Sequence, residues 1–251
     1  MPDESVKLDD RVALITGAAH RIGAAIAREL HGSGMRLILH YRHSHQAAAQ
    51  LQKELETERA NSVLVMQADL LNPDAIPELA NQAHRTWGRL DTLINNASSF
   101  YPTPLGTVTT AQWEDLLGTN LRAPFFLSQA CAPHLAEHKG TIVNLVDIHA
   151  HRPLHAHPAY NIAKAGLVML TKTLAVELGP RVRVNAVAPG AILWPEQGMS
   201  TEAQAKIVDE TLLKRQGTPR DIARTVAFLV REAEYMSGQV LTVDGGRSVP
   251  I

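Results

Sequence analysis

Short apolar runs alternate along this chain with longer segments in which apolar positions recur at helical spacing. The apolar runs cover residues 12–15, 37–39, 62–65, 92–94, 141–146, 182–187 and 239–243. They are apolar throughout instead of alternating with polar positions, which is typical of strands buried on both faces of a parallel sheet. The segments with helical spacing cover residues 21–33, 44–59, 73–87, 111–138, 160–178 and 219–231. The pattern therefore predicts one doubly wound α/β domain over residues 1–251, with a seven-stranded parallel sheet, helices on both of its faces and a polar tail at residues 1–9.

Charge and composition limit the partners that this protein can have. The 24 Lys and Arg residues are balanced by 25 Asp and Glu, so the net charge of −1 provides no basic surface for nucleic acid or for an anionic membrane. The chain has neither an apolar stretch long enough to span a membrane nor an apolar signal-peptide core near its N-terminus. The single cysteine, Cys131, lies in an apolar run and is expected to be a buried thiol. We therefore expect a soluble, cytoplasmic protein whose ligands are small molecules.

The segment after the first predicted strand has the features of a dinucleotide-binding turn. In a doubly wound sheet, ligands bind beyond the carboxyl ends of the strands. Here the strand is followed by Gly17, which permits a tight turn, and by Gly23 in the first turn of a helix whose N-terminus can accept a pyrophosphate. A pair of glycines also occurs in ordinary strand-to-helix turns, but its place after the first strand favours nucleotide binding.

The end of the second predicted strand indicates which nucleotide is bound. Enzymes that use NAD usually place an acidic residue here for the ribose 2′-hydroxyl. This chain has Arg42, His43 and Ser44 instead, which suit a 2′-phosphate and therefore NADPH. The alternative is a solvated basic loop. Asp69, after the third strand, could accept a hydrogen bond from the adenine amino group, and the small residues at 95–97 would let the backbone approach the cofactor.

A second group of residues, near the fifth predicted strand, suggests proton transfer. Asp147 ends that strand, and Tyr160 and Lys164 lie four positions apart on the helix that follows, so they project from one face. An ammonium beside a phenol lowers the tyrosine pKa, and such a phenol can donate a proton as a hydride arrives. Lys164 could also bind the nicotinamide ribose. Asn120 could hold a water near Lys164, or it could be a packing amide.

Taken together, these motifs resemble the short-chain dehydrogenase/reductase family. The resemblance covers roughly residues 8–247, and its six motifs occur in the family's order. They are the turn at residues 16–23, the run at 95–97, Asn120, Tyr160 with Lys164, the run at 185–190, and the run at 244–246. The resemblance implies a Rossmann-type domain, a nicotinamide cofactor and often a homotetramer.

Two departures from the family pattern narrow the resemblance to the pteridine reductases. Arg21 stands where the family usually has a glycine, and Asp147 replaces the family's catalytic serine. Both departures are shared by the pteridine reductases, whose pattern is also matched at residues 40–44, 67–70 and 96–105. The last of these runs is the most specific, because no general property of the fold requires it. The resemblance thus implies NADPH-dependent reduction of a pterin such as dihydromonapterin, dihydrobiopterin or dihydrofolate.

The resemblance also assigns roles to individual residues. Asp147 and Tyr160 would handle protons, Lys164 would orient the ribose and tune Tyr160, and Phe100 would stack on the pterin. The cofactor contacts would be Gly17, Arg21, Ile22, Gly23, Tyr41, Arg42, His43, Ser44, Asp69, Leu70, Asn96, Ala97, Ser98, Lys164, Pro189 and Gly190. The substrate contacts would be Arg21, Ser98, Phe100, Asp147, Tyr160 and Trp194. Without the resemblance, Phe100 would be interpreted as a packing aromatic, and Asp147 as a carboxylate that caps the next loop.

Two further segments are expected to lie near the site. Residues 191–215 follow the sixth strand and are predicted to form a substrate-covering loop, with Trp194 lining the pocket. The four histidines His149, His151, His155 and His157 could suggest a metal site. They lie in a loop that contains proline and lacks acidic or cysteine partners nearby in the sequence, so we predict no metal there and a mobile loop beside the active site instead.

Two other functions remain open from the sequence. The first is a carbonyl reductase of the 3-oxoacyl type, which the replacement of serine by Asp147 disfavours. The second is a non-catalytic scaffold that senses NADP(H). The presence of Asn120, Tyr160 and Lys164 together disfavours it, since a sensor would not need all three.

Overall fold

The sheet of this protein has the predicted strands, in a single parallel arrangement. The structure is a computed structural model that describes residues 8–194 and 198–249, so residues 1–7 of the predicted tail and 195–197 of the predicted loop lie outside the described residues. The strands are β1 (Val12–Ile15), β2 (Arg36–Tyr41), β3 (Val63–Gln67), β4 (Thr92–Asn95), β5 (Thr141–Leu145), β6 (Arg183–Pro189) and β7 (Val240–Val243). All neighbouring pairs are parallel, in the order β3-β2-β1-β4-β5-β6-β7. The seven-stranded Rossmann-type sheet predicted from the apolar runs is confirmed.

Helices cover both faces of this sheet. They are α1 (Arg21–Gly32), α2 (His45–Glu56), α3 (Ala75–Trp87), α4 (Thr110–Leu117), α5 (Ala123–Glu137), α6 (Pro158–Leu178), α7 (Thr201–Asp209) and α8 (Pro219–Arg231). Alternate residues of β1 enter opposite layers of the core. Ala13 and Ile15 pack with side chains of α1, α2 and α8, whereas Val12 and Leu14 pack with α3, α5 and α6. The continuous apolar strands are therefore explained by burial on both faces.

The predicted helix over residues 111–138 is interrupted at its centre. A π-helical segment, Gly118–Arg122, joins α4 to α5, and there the Ala123 N–H donates to the carbonyl of Gly118, five residues earlier. Such insertions are frequent at functional sites because they rotate one side chain out of the regular helical register. Asn120, which is predicted to belong to the site, lies within this segment.

The predicted substrate-loop region at residues 191–215 contains a helix, α7, which the sequence analysis does not predict. α7 begins after Ser200, whose hydroxyl accepts a hydrogen bond from the N–H of Ala203. None of its side chains is fully buried, so this segment shows little of the apolar periodicity that predicts a helix. Elsewhere the expectation for Cys131 holds, because the thiol is fully buried and burial raises its pKa to about 12. Among the described helices, none combines the length and the apolar character needed to cross a membrane.

Candidate active site

The glycine turn after β1 is packed too closely to accept a side chain. Gly17 has a φ of 60°, in the left-handed region that favours glycine, and a Cβ there would lie 3.0 Å from the Cα of Ala97. A Cβ at Gly23 would lie 2.4 Å from the carbonyl oxygen of Gly17. The two glycines therefore allow β1 to pass directly into α1, whose N-terminus can attract an anion at this edge of the sheet.

Thr16 and Asn96 hold the ends of β1 and β4 together beside this turn. Thr16 Oγ1 accepts hydrogen bonds from the backbone N–H groups of Asn96 (2.9 Å) and Ala97 (3.0 Å). The side-chain amide of Asn96 donates to the carbonyl oxygens of Thr16 (2.8 Å) and Gly17 (3.0 Å). The predicted residues Asn96 and Ala97 thus lie at the glycine turn. Asn96 holds the backbone of the turn in place, and the small side chain of Ala97 leaves room for that backbone.

A buried histidine fixes the other side of the glycine turn. His40, in β2, accepts a hydrogen bond at Nδ1 from the N–H of Gly17 (3.2 Å), and its Nε2 lies 3.1 Å from the carbonyl oxygen of Ala68. These two partners require a neutral ring with its proton on Nε2. Burial lowers the pKa of His40 to about 4, so the neutral form is present at neutral pH. In the sequence, His40 is one polar residue within an apolar strand. That pattern does not distinguish a structural role from a binding role.

Arg21 adopts a backbone conformation in which glycine is usual. Its φ is 53°, and a non-glycine residue in that region carries a cost of about 1–2 kcal/mol. Such strain tends to occur at functional positions. Nη2 of Arg21 donates to the carbonyl oxygen of Trp194 at 3.3 Å, which brings together two predicted substrate contacts that are far apart in sequence. Ile22, the next residue, packs partly buried against the core layer that contains α1.

The end of β2 presents a basic, largely exposed segment. Arg42 Nη2 lies 3.0 Å from Oδ2 of Asp69, with both side chains more than two-fifths exposed. His43 is exposed, and Ser44 precedes α2 without making a side-chain capping bond to it. The N–H of His45 donates to the carbonyl of His43, and the N–H groups that follow it in the first turn of α2 can face an anion beside Arg42.

The side chains of Tyr41 and Leu70 are buried, unlike those of their predicted neighbours in the cofactor set. Tyr41 packs with Ala19 and Ala48, and Leu70 belongs to the core layer that contains α3.

Tyr160, which is buried, and Asp147, which is half-buried, form the polar centre of the site. The hydroxyl of Tyr160 donates to Oδ2 of Asp147 at 2.8 Å, and Oδ1 of Asp147 accepts from the N–H of His149 at 2.8 Å. Burial, and then the charge and hydrogen bond of Asp147, raise the pKa of Tyr160 well above its ordinary value. The prediction that Lys164 lowers the tyrosine pKa is therefore wrong for the protein without ligands. The desolvated phenol beside a carboxylate retains its proton.

Lys164 lies behind this pair and is directed at the backbone. Its Nζ donates to the carbonyl oxygen of Leu145 at 2.9 Å and lies 5.7 Å from the centre of the Tyr160 ring. The side chain is almost fully buried, and this burial lowers its pKa to about 8 despite the attraction of Asp147. The ammonium is therefore mainly charged at neutral pH but does not contact the phenol oxygen.

Asn120 reaches the same centre from the π-helical segment. Its Oδ1 accepts from the hydroxyl of Ser98 at 2.6 Å, and its Nδ2 donates to the carbonyl oxygens of Ser99 and Leu116, both at 2.9 Å. Ser98 in turn is within hydrogen-bonding reach of Tyr160, whose pKa it lowers by a smaller amount than Asp147 raises it. A connected set of polar groups thus leads from Asn120 through Ser98 and Tyr160 to Asp147.

Phe100 lies directly beside Tyr160. The edge of one ring meets the face of the other, with centroids 4.9 Å apart and an interplanar angle of 78°. Phe100 is 46% exposed, and one of its faces stacks on His157 at 4.9 Å and 12°. His157 had been considered only as part of a histidine-rich loop, and its spacing in the sequence gave no indication of this aromatic contact. The half-exposed Phe100 ring presents apolar surface next to the buried proton-bearing groups.

The last predicted cofactor residues, Pro189 and Gly190, end β6 at the same edge of the sheet. A Cβ at Gly190 would lie 2.5 Å from Cβ of Asp244, so the close approach of the turn after β7 requires a glycine here. Asp244 accepts backbone hydrogen bonds from Gly246 and Ser248 and fixes that turn. The geometry thus places a glycine turn, a basic segment and a buried tyrosine–carboxylate pair at the carboxyl ends of the strands.

Comparison with known proteins relates this chain to a large group of reductases. Residues 17–248 match the family described as enoyl-(acyl carrier protein) reductase. Pteridine reductase 1 of Leishmania tarentolae is 36% identical, over 95% of this chain and 96% of that protein. A 3-oxoacyl-[acyl-carrier-protein] reductase of Staphylococcus epidermidis is 34% identical, over 94% of this chain and 98% of that protein. A probable 2,4-dienoyl-CoA reductase of Bacillus subtilis is also 34% identical, over 96% and 97% of the two chains.

Proposed function

The chain belongs to the short-chain dehydrogenase/reductase family, and from this premise we propose that it uses NADPH to reduce a dihydropterin to a tetrahydropterin. The observation that carries the proposal is the 2.8 Å hydrogen bond from Tyr160 to Asp147. A serine hydroxyl at the position of Asp147 would suit a carbonyl oxygen that becomes negative during reduction. A carboxylate suits a ring nitrogen that must receive a proton, because it can hold and pass on that proton.

The residues near β1 and β2 fit a bound NADPH. The glycine turn and the N-terminus of α1 would hold the pyrophosphate, since Gly17 and Gly23 leave no room for side chains and the helix dipole attracts negative charge. Arg42 and Ser44 would hold the 2′-phosphate, with the N–H groups of α2 beside them. When bound, NADPH supplies the hydride. Lys164, whose ammonium already donates to the Leu145 carbonyl, would orient the nicotinamide ribose from behind Tyr160.

The polar centre would deliver the proton. In the free protein, the Tyr160 hydroxyl points to Asp147, and the raised pKa of Tyr160 keeps it protonated at neutral pH. Transfer from Tyr160 to a ring nitrogen becomes favourable once Asp147 also carries a proton, because Asp147 can then donate to the oxygen that Tyr160 leaves behind. Ser98 can donate to the same oxygen when its hydroxyl turns away from Oδ1 of Asn120, to which it donates in this structure. The pair would therefore act as one proton reservoir.

A flat, partly polar ring is the substrate that fits the surroundings of this pair. The exposed ring of Phe100 would stack on one face of a pterin. Arg21, held in a strained conformation near Trp194, would contact the polar edge of the substrate and the cofactor phosphates. Ser98, between Asn120 and Tyr160, would contact the pterin as well.

A carbonyl reductase of the 3-oxoacyl type is the second candidate, supported by the 34% identity with the Staphylococcus epidermidis enzyme. Three assays distinguish the candidates: NADPH oxidation with dihydrobiopterin, with a β-keto ester, and with no substrate added. We expect turnover with the dihydropterin. Turnover with the keto ester alone would support the second candidate, and NADPH binding without turnover of either would indicate a non-catalytic scaffold.

The choice of NADPH over NADH has a test of its own. Replacing Arg42 with Ala removes the cation proposed to pair with the 2′-phosphate and should weaken NADPH binding at least about tenfold, because charge-assisted bonds to phosphate are strong. NADH binding should change less than about twofold. Lys53→Ala is the matched control, since it removes an exposed cation from α2 that does not belong to the proposed cofactor contacts. Equal losses of NADPH and NADH binding in Arg42→Ala would contradict the 2′-phosphate assignment.

We also propose that the protein is a homotetramer. Large apolar side chains are exposed on α6 at Ile162, Met169 and Val176, which are spaced seven residues apart and so lie along one stripe of the helix. Phe125 and Phe126 are exposed on α5 nearby in the fold. Burial of this stripe against a second copy would remove apolar surface from water. Light scattering after size-exclusion chromatography should give four times the chain mass, and Met169→Glu should reduce it.

A further inference from the structure

A separate group of potential metal ligands lies between α3 and α5, at the opposite edge of the sheet from the candidate active site. His84 is near the end of α3, and His134 and Glu137 are near the end of α5. These helices end just before β4 and β5 begin, so the group lies at the amino ends of the strands. One ligand atom from each of the three residues lies within 4.8 Å of the other two. Within residues 8–194 and 198–249, no other set of three His, Cys, Asp or Glu side chains meets this condition.

The geometry of this group leaves one buried nitrogen without a partner. The rings of His84 and His134 are stacked, with centroids 4.2 Å apart and an interplanar angle of 12°. Nε2 of His84 lies 3.8 Å from Oε2 of Glu137 and makes no hydrogen bond within the described part of the chain, although it is buried. Buried polar atoms are normally paired, so an orphaned imidazole nitrogen facing a carboxylate suggests a missing ligand.

The spacing on the two helices places these donors together. His134 and Glu137 are three residues apart on α5, and His84 is three residues from Asn81 on α3, so each pair shares one helix face. Asn81 Oδ1 lies 3.3 Å from Nε2 of His134 and holds that ring between the helices. A His and a Glu three residues apart on one helix, facing a further ligand on a neighbouring helix, are an arrangement that metal sites in helical proteins use.

We propose that His84, His134 and Glu137 bind a divalent transition-metal ion of the Zn²⁺ class, which bridges α3 and α5. Two imidazole nitrogens and one carboxylate oxygen are a donor set that Zn²⁺ accepts, whereas Mg²⁺ and Ca²⁺ prefer oxygen alone. Ligand atoms of a tetrahedral Zn²⁺ are roughly 3.3 Å apart, given bonds of about 2 Å. The three ligand atoms need to move only modestly closer together. The two stacked imidazole rings must also tilt apart so that their nitrogen lone pairs point at one ion. Water completes the coordination.

Zinc binding to the purified, untagged protein tests this site. After removal of metals with a chelator, calorimetric titration with Zn²⁺ should give one site per chain. His84→Gln and His134→Gln should each weaken that site by more than about tenfold, since each removes a ligand. His138→Gln, adjacent to Glu137, is the matched control and should bind Zn²⁺ as the wild type does. A second control, His151→Gln combined with His155→Gln, removes two exposed histidines of the loop near the active site.

A thermal-unfolding measurement gives an independent readout. Zn²⁺ should raise the Tm of the wild type and of both controls, because an ion that binds only the folded state stabilises it. The rise should be absent in the two ligand variants. If either of them fails to fold, the half-exposed Glu137→Gln takes its place. The proposal is overturned if Zn²⁺ binding is unchanged in the ligand variants, if it is lost in the loop variant, or if the wild type binds no Zn²⁺.

Discussion

Within the part of the chain that the structure describes, two tyrosine–aspartate hydrogen bonds have the same length and lie close to each other. Tyr160 donates to Asp147 at 2.8 Å, and Tyr101 donates to Asp115 at 2.8 Å. Both tyrosines pack in one small cluster with Leu116. In both, burial and the carboxylate raise the tyrosine pKa, to about 12 for Tyr101 and well above its ordinary value for Tyr160. A tyrosine–carboxylate bond alone therefore does not identify a catalytic group.

The two pairs differ in what else reaches the phenol. Tyr101 is partly exposed, and its second neighbour is a backbone carbonyl, that of Gln112 at 3.3 Å. Tyr160 is 4% exposed, has the Ser98 hydroxyl within hydrogen-bonding reach, and lies near the buried ammonium of Lys164. Groups that can donate to the phenol oxygen stabilise it after its proton leaves, whereas a carbonyl cannot. The comparison indicates that Asp147 together with the groups around Tyr160, and not a carboxylate bond alone, makes Tyr160 suitable for proton transfer.

The largest effect should come from removing the hydroxyl group of Tyr160, with removal of the Tyr101 hydroxyl as the control. Tyr160→Phe should lower the rate of dihydropterin reduction about 10³-fold, because it removes the proton donor, while NADPH binding stays within about twofold of wild type. Tyr101→Phe removes an equivalent hydrogen bond and should leave the rate within about twofold. Single-turnover kinetics and NADPH fluorescence measure both quantities. Comparable losses in the two variants would mean that Tyr160 acts through packing.

A smaller effect should follow from changing the carboxylates. Asp147→Ser should reduce the pterin rate about 100-fold, since the ring nitrogen loses its proton relay, and it should raise activity on a β-keto ester. Asp115→Asn, at the equivalent position of the other pair, should leave the substrate preference unchanged. The ratio of kcat/KM for the two substrates is the measurement. A ratio in Asp147→Ser equal to that of the wild type would contradict the role assigned to Asp147.

Whether a feature of the site could be predicted from the sequence depends on how far apart along the chain the interacting residues lie. The seven strands, the glycine turn and the positions of Tyr160 and Lys164 follow from periodicity and from motifs that are local in the chain. The shift of the Tyr160 pKa cannot be predicted in this way. Its direction depends on which of Asp147 and Lys164 reaches the phenol oxygen, and spacing along the chain does not determine that distance. Lys164 instead donates to the carbonyl of Leu145, which belongs to a different element.

Other features escaped prediction for a related reason. The π-helical segment at Gly118–Arg122 has the same apolar pattern as an α-helix, so only the structure reveals that Asn120 turns toward Ser98. The ring contact between His157 and Phe100 joins two loops distant in sequence. The positive φ of Arg21 was detectable in part, because a glycine is usual at that position in the family.

The smallest of the predicted effects concerns Lys164, whose ammonium lies beside the ring of Tyr160. Burial lowers the pKa of Lys164 to about 8, while an unfolded lysine keeps its proton to about pH 10.4. Between these values the unfolded state binds more protons, so the stability of the wild type should rise with pH relative to Lys164→Met. We expect a relative gain of about 2 kcal/mol between pH 8 and 10 in urea unfolding. Lys172→Met removes an exposed ammonium from the same helix and serves as the control. If the difference in unfolding free energy between the wild type and Lys164→Met did not change with pH, the buried ammonium would keep its proton throughout this range. Its electrostatic effect on Tyr160 would then extend to alkaline pH.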